Sequence, residues 1–123
     1  MITGQVTADR LAQIRLMVLD ATGQGHEVEV VIDTGFDGAV TLPPELITAF
    51  GLVWRRRGRA LLADGRESVF DIYEATILWD GQPYRVAVDA ADTEPLVGMA
   101  LLEGYELTVQ VRAGGSVTIT PLP

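Results

Sequence analysis

Glycine turns divide this chain into short segments in which apolar and polar residues alternate, and this pattern limits the folds open to it. Residues 11–20 and 27–30 each place an apolar residue at every second position. This period of two is typical of half-buried β-strands. Asp-Gly and Gly-Gly pairs between such segments predict tight hairpin turns. These pairs are Asp64-Gly65, Asp80-Gly81 and Gly114-Gly115. Between the first two pairs we expect two separate strands, residues 66–73 and 75–79.

Many short strands and little helix predict an all-β fold, a small closed β-barrel with one or two short helices. Pro43-Pro44 ends a short strand and predicts a helix over residues 45–50, and residues 99–102 suit a second helical turn. The chain has 123 residues, of which 48% are hydrophobic and 21% charged. This length fits one domain, residues 1–123, that can bury a core of its own.

Composition excludes several classes of function. The chain has no cysteine and a single histidine, His26, so thiol catalysis is excluded and a Ser-His-Asp triad is disfavoured. A net charge of −8 disfavours binding to nucleic acid, which requires Lys and Arg to neutralise phosphates. No apolar run reaches the ~20 residues of a membrane span, and no signal peptide is visible. We therefore expect a cytoplasmic protein that contacts neither membrane nor nucleic acid and needs no cofactor or metal.

The stretch Val30-Val31-Ile32-Asp33-Thr34-Gly35 carries the strongest chemical signal in the sequence. An apolar strand ends by presenting a carboxylate, a hydroxyl and a glycine in order. A carboxylate next to a buried strand is costly unless it is hydrogen-bonded or shares a proton. Asp33 is therefore a candidate catalytic residue. A purely structural Asp that caps a turn through Thr34 and Gly35 is the alternative.

With three further segments, this stretch resembles the retropepsin-like aspartic proteases, including their small single-domain bacterial members. The resemblance covers about residues 11–120. The four segments occur in the order of that family. They are Val30 to Gly35, the strand Ala39-Val40-Thr41-Leu42, the hairpin Ala63-Asp64-Gly65, and Pro95-Leu96-Val97-Gly98 before a short helix.

Peptide hydrolysis by this chemistry requires two adjacent carboxylates, one as general base and one as general acid. The chain has one Asp-Thr-Gly, so the second carboxylate must come from another copy in a homodimer. The resemblance implies that Thr34 bonds across the two-fold axis and that Gly35 admits the substrate backbone. It also implies that Ala63, Asp64 and Gly65 form the tip of a flap over a peptide or protein substrate.

Two positions next to the motif leave questions open. Asp37 matches an acidic residue that holds the substrate backbone in viral members, or it is a turn-forming Asp before Gly38. Phe36 stands where viral members have a small residue, and it could narrow the cleft or change the packing of the loop.

The main alternative function is a non-catalytic dimeric β-barrel, a pseudoprotease that binds peptides or a protein partner. A purely structural oligomerisation module is a third possibility. The segment 107–120 either spans the dimer or closes its own barrel as an internal hairpin.

Overall fold

Ten β-strands in one sheet and two short helices make up the fold, in a computed structural model that describes all residues 1–123. The strands are β1 (Ile2–Val6), β2 (Ala12–Leu19), β3 (Gly25–Ile32), β4 (Val40–Leu42), β5 (Val53–Leu61), β6 (Glu67–Trp79), β7 (Gln82–Ala90), β8 (Leu96–Val97), β9 (Tyr105–Val109) and β10 (Ser116–Pro121). The helices are α1 (Pro44–Phe50) and α2 (Met99–Leu102). Neither helix is long and apolar enough to cross a membrane.

Six of the strands close into a ring in the order β2-β3-β8-β4-β7-β6, because β6 pairs with β2 as well as with β7. The β3–β8 and β4–β7 pairs are parallel, whereas the other pairs are antiparallel. This mixed ring is not a regular barrel. Strand β5 extends the sheet from β6, and β1, β10 and β9 extend it from β2. The all-β class with two short helices is thus confirmed.

One hydrophobic cluster of 20 buried residues fills the ring and continues under the strands beside it. Val6 of β1 and Ile119 of β10 belong to this cluster together with Val30 of β3 and Val97 of β8. Strand β3 crosses this core, and its consecutive Val30 and Val31 are both buried. Because β3 is apolar up to Ile32, the chain leaves the core immediately before Asp33.

The predicted hairpins β2–β3, β6–β7 and β9–β10 are all present. Two features differ from the sequence-based expectation. Strand β1 was not expected, and it pairs with both β2 and β10. Residues 66–73 and 75–79, expected as separate strands, belong to the single 13-residue strand β6. This strand is continuous because its first half pairs with β5 and its second half with β7.

A network around Asp20 fixes the turn between β2 and β3. The Asp20 carboxylate accepts hydrogen bonds from the Thr22 hydroxyl at 2.6 Å and from the Gln24 N–H at 3.0 Å, and it contacts His26 Nε2 at 2.8 Å. The His26 ring in turn stacks on Phe50 of α1, with 4.7 Å between ring centres. The bonds from Thr22 and His26 hold the pKa of Asp20 well below its ordinary value.

We expect the Asp20 network to make the fold sensitive to acid. Since the folded-state pKa of Asp20 is depressed, its contribution to stability is present above the unfolded value of about 4 and is lost as the pH falls below it. Asp20→Asn should therefore lower the melting temperature at pH 7, and its difference from wild type should shrink at acid pH. The control is Asp9→Asn, because the exposed Asp9 makes no side-chain bond. Equal melting curves for Asp20→Asn and wild type at pH 7 would contradict this.

Candidate active site

Asp33 is held in a tight loop directly after β3. Its backbone N–H donates to the Val97 carbonyl at 2.9 Å, which continues the pairing of β3 with β8. Its side-chain Oδ1 accepts the Gly35 N–H at 2.9 Å. Oδ2 accepts no hydrogen bond within the chain, and the residue is only partly buried. Asp33 therefore presents one oriented carboxylate with an oxygen open to a partner or to water.

The segment that begins at Gly98 holds the Asp33 loop through backbone hydrogen bonds. Gly98 N–H donates to the Ala39 carbonyl at 2.9 Å, Met99 N–H to Phe36 at 2.8 Å, and Ala100 N–H to Gly38 at 3.1 Å. These three bonds link the start of α2 to the far side of the Asp33 loop. A Cβ on Gly98 would lie within 2.5 Å of the Phe36 carbonyl oxygen, so only glycine allows this close approach.

Phe36 packs between its own loop and the segment that begins at Gly98. A Cβ built on Gly38 would lie 2.5 Å from Phe36 Cζ, and one built on Gly98 would lie 2.5 Å from Phe36 Cδ2. The ring is partly buried against these two glycines. Of the two expectations for Phe36, the structure therefore favours the one in which it changes how the loop packs.

Thr34 and Asp37 are exposed and face an open groove beside the loop. The Thr34 hydroxyl makes no hydrogen bond within the chain and is free to bond elsewhere. The groove has a volume of about 740 Å³ and leads from the loop across α2 to β9. Its other lining residues are Met99, Ala100, Leu102, Glu103, Gly104, Tyr105 and Leu107.

Asp89, at the end of β7, is a charged residue near this loop that the sequence did not reveal. Its Oδ2 would lie 3.4 Å from a Cβ on Gly38. Burial raises the pKa of Asp89, the Arg56 guanidinium opposes this rise, and the Asp37 carboxylate adds to it. The structure thus brings together side chains from β5, β7 and the Asp33 loop. No sequence signal marked Asp89, because only the β4–β7 pairing carries it to the loop.

The Ala63-Asp64-Gly65 segment lies at the exposed tip of the β5–β6 hairpin. Leu62 N–H donates to Arg66 O at 2.7 Å, and Gly65 N–H donates to Leu62 O at 3.0 Å. Gly65 has a φ of +84°, a left-handed conformation that favours glycine. No hydrogen bond or ion pair joins this tip to the Asp33 loop. The four motif residues Asp33, Thr34, Gly35 and Asp37 are thus brought together, whereas Ala63 to Gly65 lie on a separate projecting hairpin.

Ion pairs across the hairpin support its strands. They join Arg55 to Glu74 at 2.9 Å and Arg59 to Glu67 at 3.7 Å. Arg55, Arg59 and Glu67 are exposed, whereas Glu74 is partly buried. Leu61 and Val69 near the tip are 76% and 55% exposed. Ion pairs therefore support the hairpin both toward its base and near its tip, and the tip presents exposed apolar side chains.

Within one chain, no second carboxyl pairs with the Asp33 side chain. No other acidic side chain hydrogen-bonds to it, and no group of three or more His, Asp or Glu side chains is arranged as a metal site. One chain therefore offers a single oriented carboxylate, open on one side.

Two solved structures have a similar fold. One is a retropepsin-like aspartic protease from Rickettsia conorii, with a TM-score of 0.61 and 15% identity over 99% of this chain and 91% of that one. The other is EIAV protease in complex with an inhibitor, with a TM-score of 0.56 and 15% identity over 77% of this chain and 88% of that one. No family model and no curated protein sequence matches. This chain therefore has the retropepsin-like fold, as the sequence resemblance predicted.

Proposed function

We propose that this protein is an aspartic endopeptidase whose catalytic dyad consists of Asp33 from each of two copies. The observation that carries the proposal is the oriented Asp33 carboxylate with a free Oδ2, held at the end of a buried strand on a retropepsin-like fold. The whole chain, residues 1–123, would act as one protease domain.

In the dimer the two Asp33 carboxyls would lie face to face and share a proton, because two carboxylates so close do not both ionise readily. The ionised carboxyl takes a proton from water as this attacks the peptide carbonyl carbon. The protonated carboxyl donates to the carbonyl oxygen, which gives a tetrahedral diol. Proton transfer to the nitrogen then releases the amine and the acid. No cofactor and no covalent enzyme intermediate take part.

The neighbouring residues have distinct roles in this proposal. Thr34, whose hydroxyl is unpaired in one chain, bonds across the two-fold axis to the second loop. Gly35 lets a substrate backbone approach, and Asp37 binds that backbone from the exposed side of the loop. The hairpin tip at Ala63, Asp64 and Gly65 closes over the peptide and excludes water.

The non-catalytic peptide-binding dimer is the second candidate. The Phe36 ring packs against Gly38 and Gly98 and does not define the shape of a catalytic cleft. This packing is therefore compatible with a dimer that binds peptides without cleaving them. The intact Asp33–Gly35 hydrogen bond favours the enzyme, since a binding module has no need of an oriented carboxylate there.

Activity should depend on protein concentration. An unfolded protein substrate such as denatured casein is incubated with the enzyme over a dilution series, and sedimentation is measured at the same concentrations. Below the dimer dissociation constant, each tenfold dilution should lower the specific activity by about tenfold, since the dimeric fraction falls in proportion. Constant specific activity from a species that sediments as a monomer would refute the shared dyad.

A further inference from the structure

Strand β9 forms an open edge of the sheet. The sheet ends at β9 on one side and at β5 on the other. Gln110 N–H donates to Ser116 O and Leu122 N–H to Gly104 O, both at 2.9 Å, so the even-numbered residues bond to β10. In an antiparallel pair, successive residues point their backbone N–H and C=O groups alternately toward the partner strand and away from it. Leu107 and its odd-numbered neighbours therefore direct these groups to the open side of β9.

The terminal strands are already paired within their own chain. Strand β1 lies between β2 and β10, and β10 lies between β1 and β9. An exchange of terminal strands between two copies would first have to break these pairings. The segment 107–120 thus forms an internal hairpin, and β9 is the strand of this group with a free side.

The open edge and the candidate site share one surface. The groove that begins at Thr34 and Asp37 ends at Tyr105 and Leu107 of β9. Met99, which also lines this groove, is 49% exposed. A second copy that brings its own Asp33 to the site must approach Thr34, and this approach covers the same groove.

We propose that two copies join edge to edge through β9, in a continuous sheet of order β1-β10-β9-β9-β10-β1. This inference rests on the proposed function, because the need for a second Asp33 identifies the occupant as another copy of this chain. A two-fold axis makes the two β9 strands antiparallel. Centred on Leu107, the pairing forms about six backbone hydrogen bonds. It also sets Glu106 opposite Thr108 of the second copy, so no like charges meet.

The first test compares Leu107→Pro with Leu107→Ala by sedimentation over a concentration series. Both variants lose the leucine side chain, but only proline removes the N–H of residue 107 that points to the open side of β9. The hydrogen bonds from β9 to β10 remain in both variants. The dissociation constant of the Leu107→Pro dimer should exceed that of Leu107→Ala by about 30-fold, since each copy loses one backbone hydrogen bond. Equal dissociation constants for two folded variants would overturn the proposal.

A second test covers the case in which Leu107→Pro does not fold. The chain has no cysteine, so Glu106→Cys/Thr108→Cys introduces the only thiols. Positions 106 and 108 of the two copies would form non-hydrogen-bonded pairs, whose spacing suits a disulfide. Oxidation should give a covalent dimer on a non-reducing gel, whereas the control Arg57→Cys/Arg59→Cys on β5 should stay monomeric.

The outcomes separate the two proposals. Proteolytic activity from a dimer that does not crosslink at β9 would overturn the β9 interface and leave the shared dyad standing. A β9-crosslinked dimer that cleaves no substrate would support the interface and favour the non-catalytic reading. A wild type that sediments as a monomer at every concentration would overturn the interface.

Discussion

Asp33→Asn should abolish peptide hydrolysis and leave the fold intact. The amide retains an Oδ1 that can accept the Gly35 N–H, so the loop keeps its internal hydrogen bond. It cannot act as a general base, and it removes the proton shared across the axis. Turnover should fall by at least about 10³-fold, because the dyad acts as a unit and neither half replaces the other. Asn also removes the cost of holding two titratable carboxyls face to face across the axis, so the mutant should be at least as stable as wild type.

The measurement is cleavage of a denatured protein by both variants between pH 3 and pH 8. Wild-type activity should rise and then fall with pH, since one carboxyl must be ionised while the other stays protonated. The matched control is Asp92→Asn, which changes an exposed acid that makes no side-chain bond. Equal cleavage by Asp33→Asn and wild type would assign the activity to another source. Failure of the wild type on a broad substrate panel would favour the non-catalytic dimer.

Gly98→Ala should damage both the site and the fold. A Cβ at this position meets the carbonyl oxygens of Phe36 and Gly38, and neither can move without displacing the Asp33 loop. Such overpacking costs about 1–3 kcal/mol, and a clash with main-chain atoms belongs to the upper part of this range. A shift of the loop by about 1 Å could by itself lower turnover by about 100-fold.

Gly25→Ala separates this effect from the general cost of replacing a glycine. Its Cβ would lie 2.7 Å from Met17 Sδ, which belongs to a flexible side chain that can move aside. Melting curves give the stability of each variant, and turnover is measured well below the lower melting temperature. If Gly98→Ala melts and cleaves like Gly25→Ala, the Gly98 segment does not hold the Asp33 loop as described.

The sequence predicted those parts of the fold that depend on local signals. The turns at Asp80-Gly81 and Gly114-Gly115 predicted two hairpins, because Gly81 and Gly114 have φ values that other residues rarely adopt. Strand β1 lacks such a signal. Its Gly4 lowers the β-propensity, yet a Cβ there would collide with the Gln13 backbone, so glycine is required by the pairing with β2. This requirement arises only once the two strands are adjacent.

In the candidate site too, the sequence predicted the residues that are neighbours along the chain but not the one that strand pairing brings close. Asp33, Thr34, Gly35 and Asp37 follow one another in the chain, so a motif could reveal them together. The position of Asp89 next to Gly38 depends on the parallel pairing of β4 with β7, for which the sequence carries no local signal. The open side of β9 could not be predicted from the sequence either, because it follows from the order of all ten strands.

The two ends of the sheet differ in a way that limits how far copies of this chain can assemble. Strand β5 has an irregular register between Trp54 and Arg56 and carries the arginines that pair with Glu74 and Glu67. Bulges and exposed charges of this kind block the addition of another strand. Strand β9 has an unbroken register. A molecule with one permissive edge can pair only once, so the proposed pairing through β9 would end at two copies and form no open-ended fibre. Removing the register irregularity and the arginines of β5 would create the second open edge that polymerisation requires.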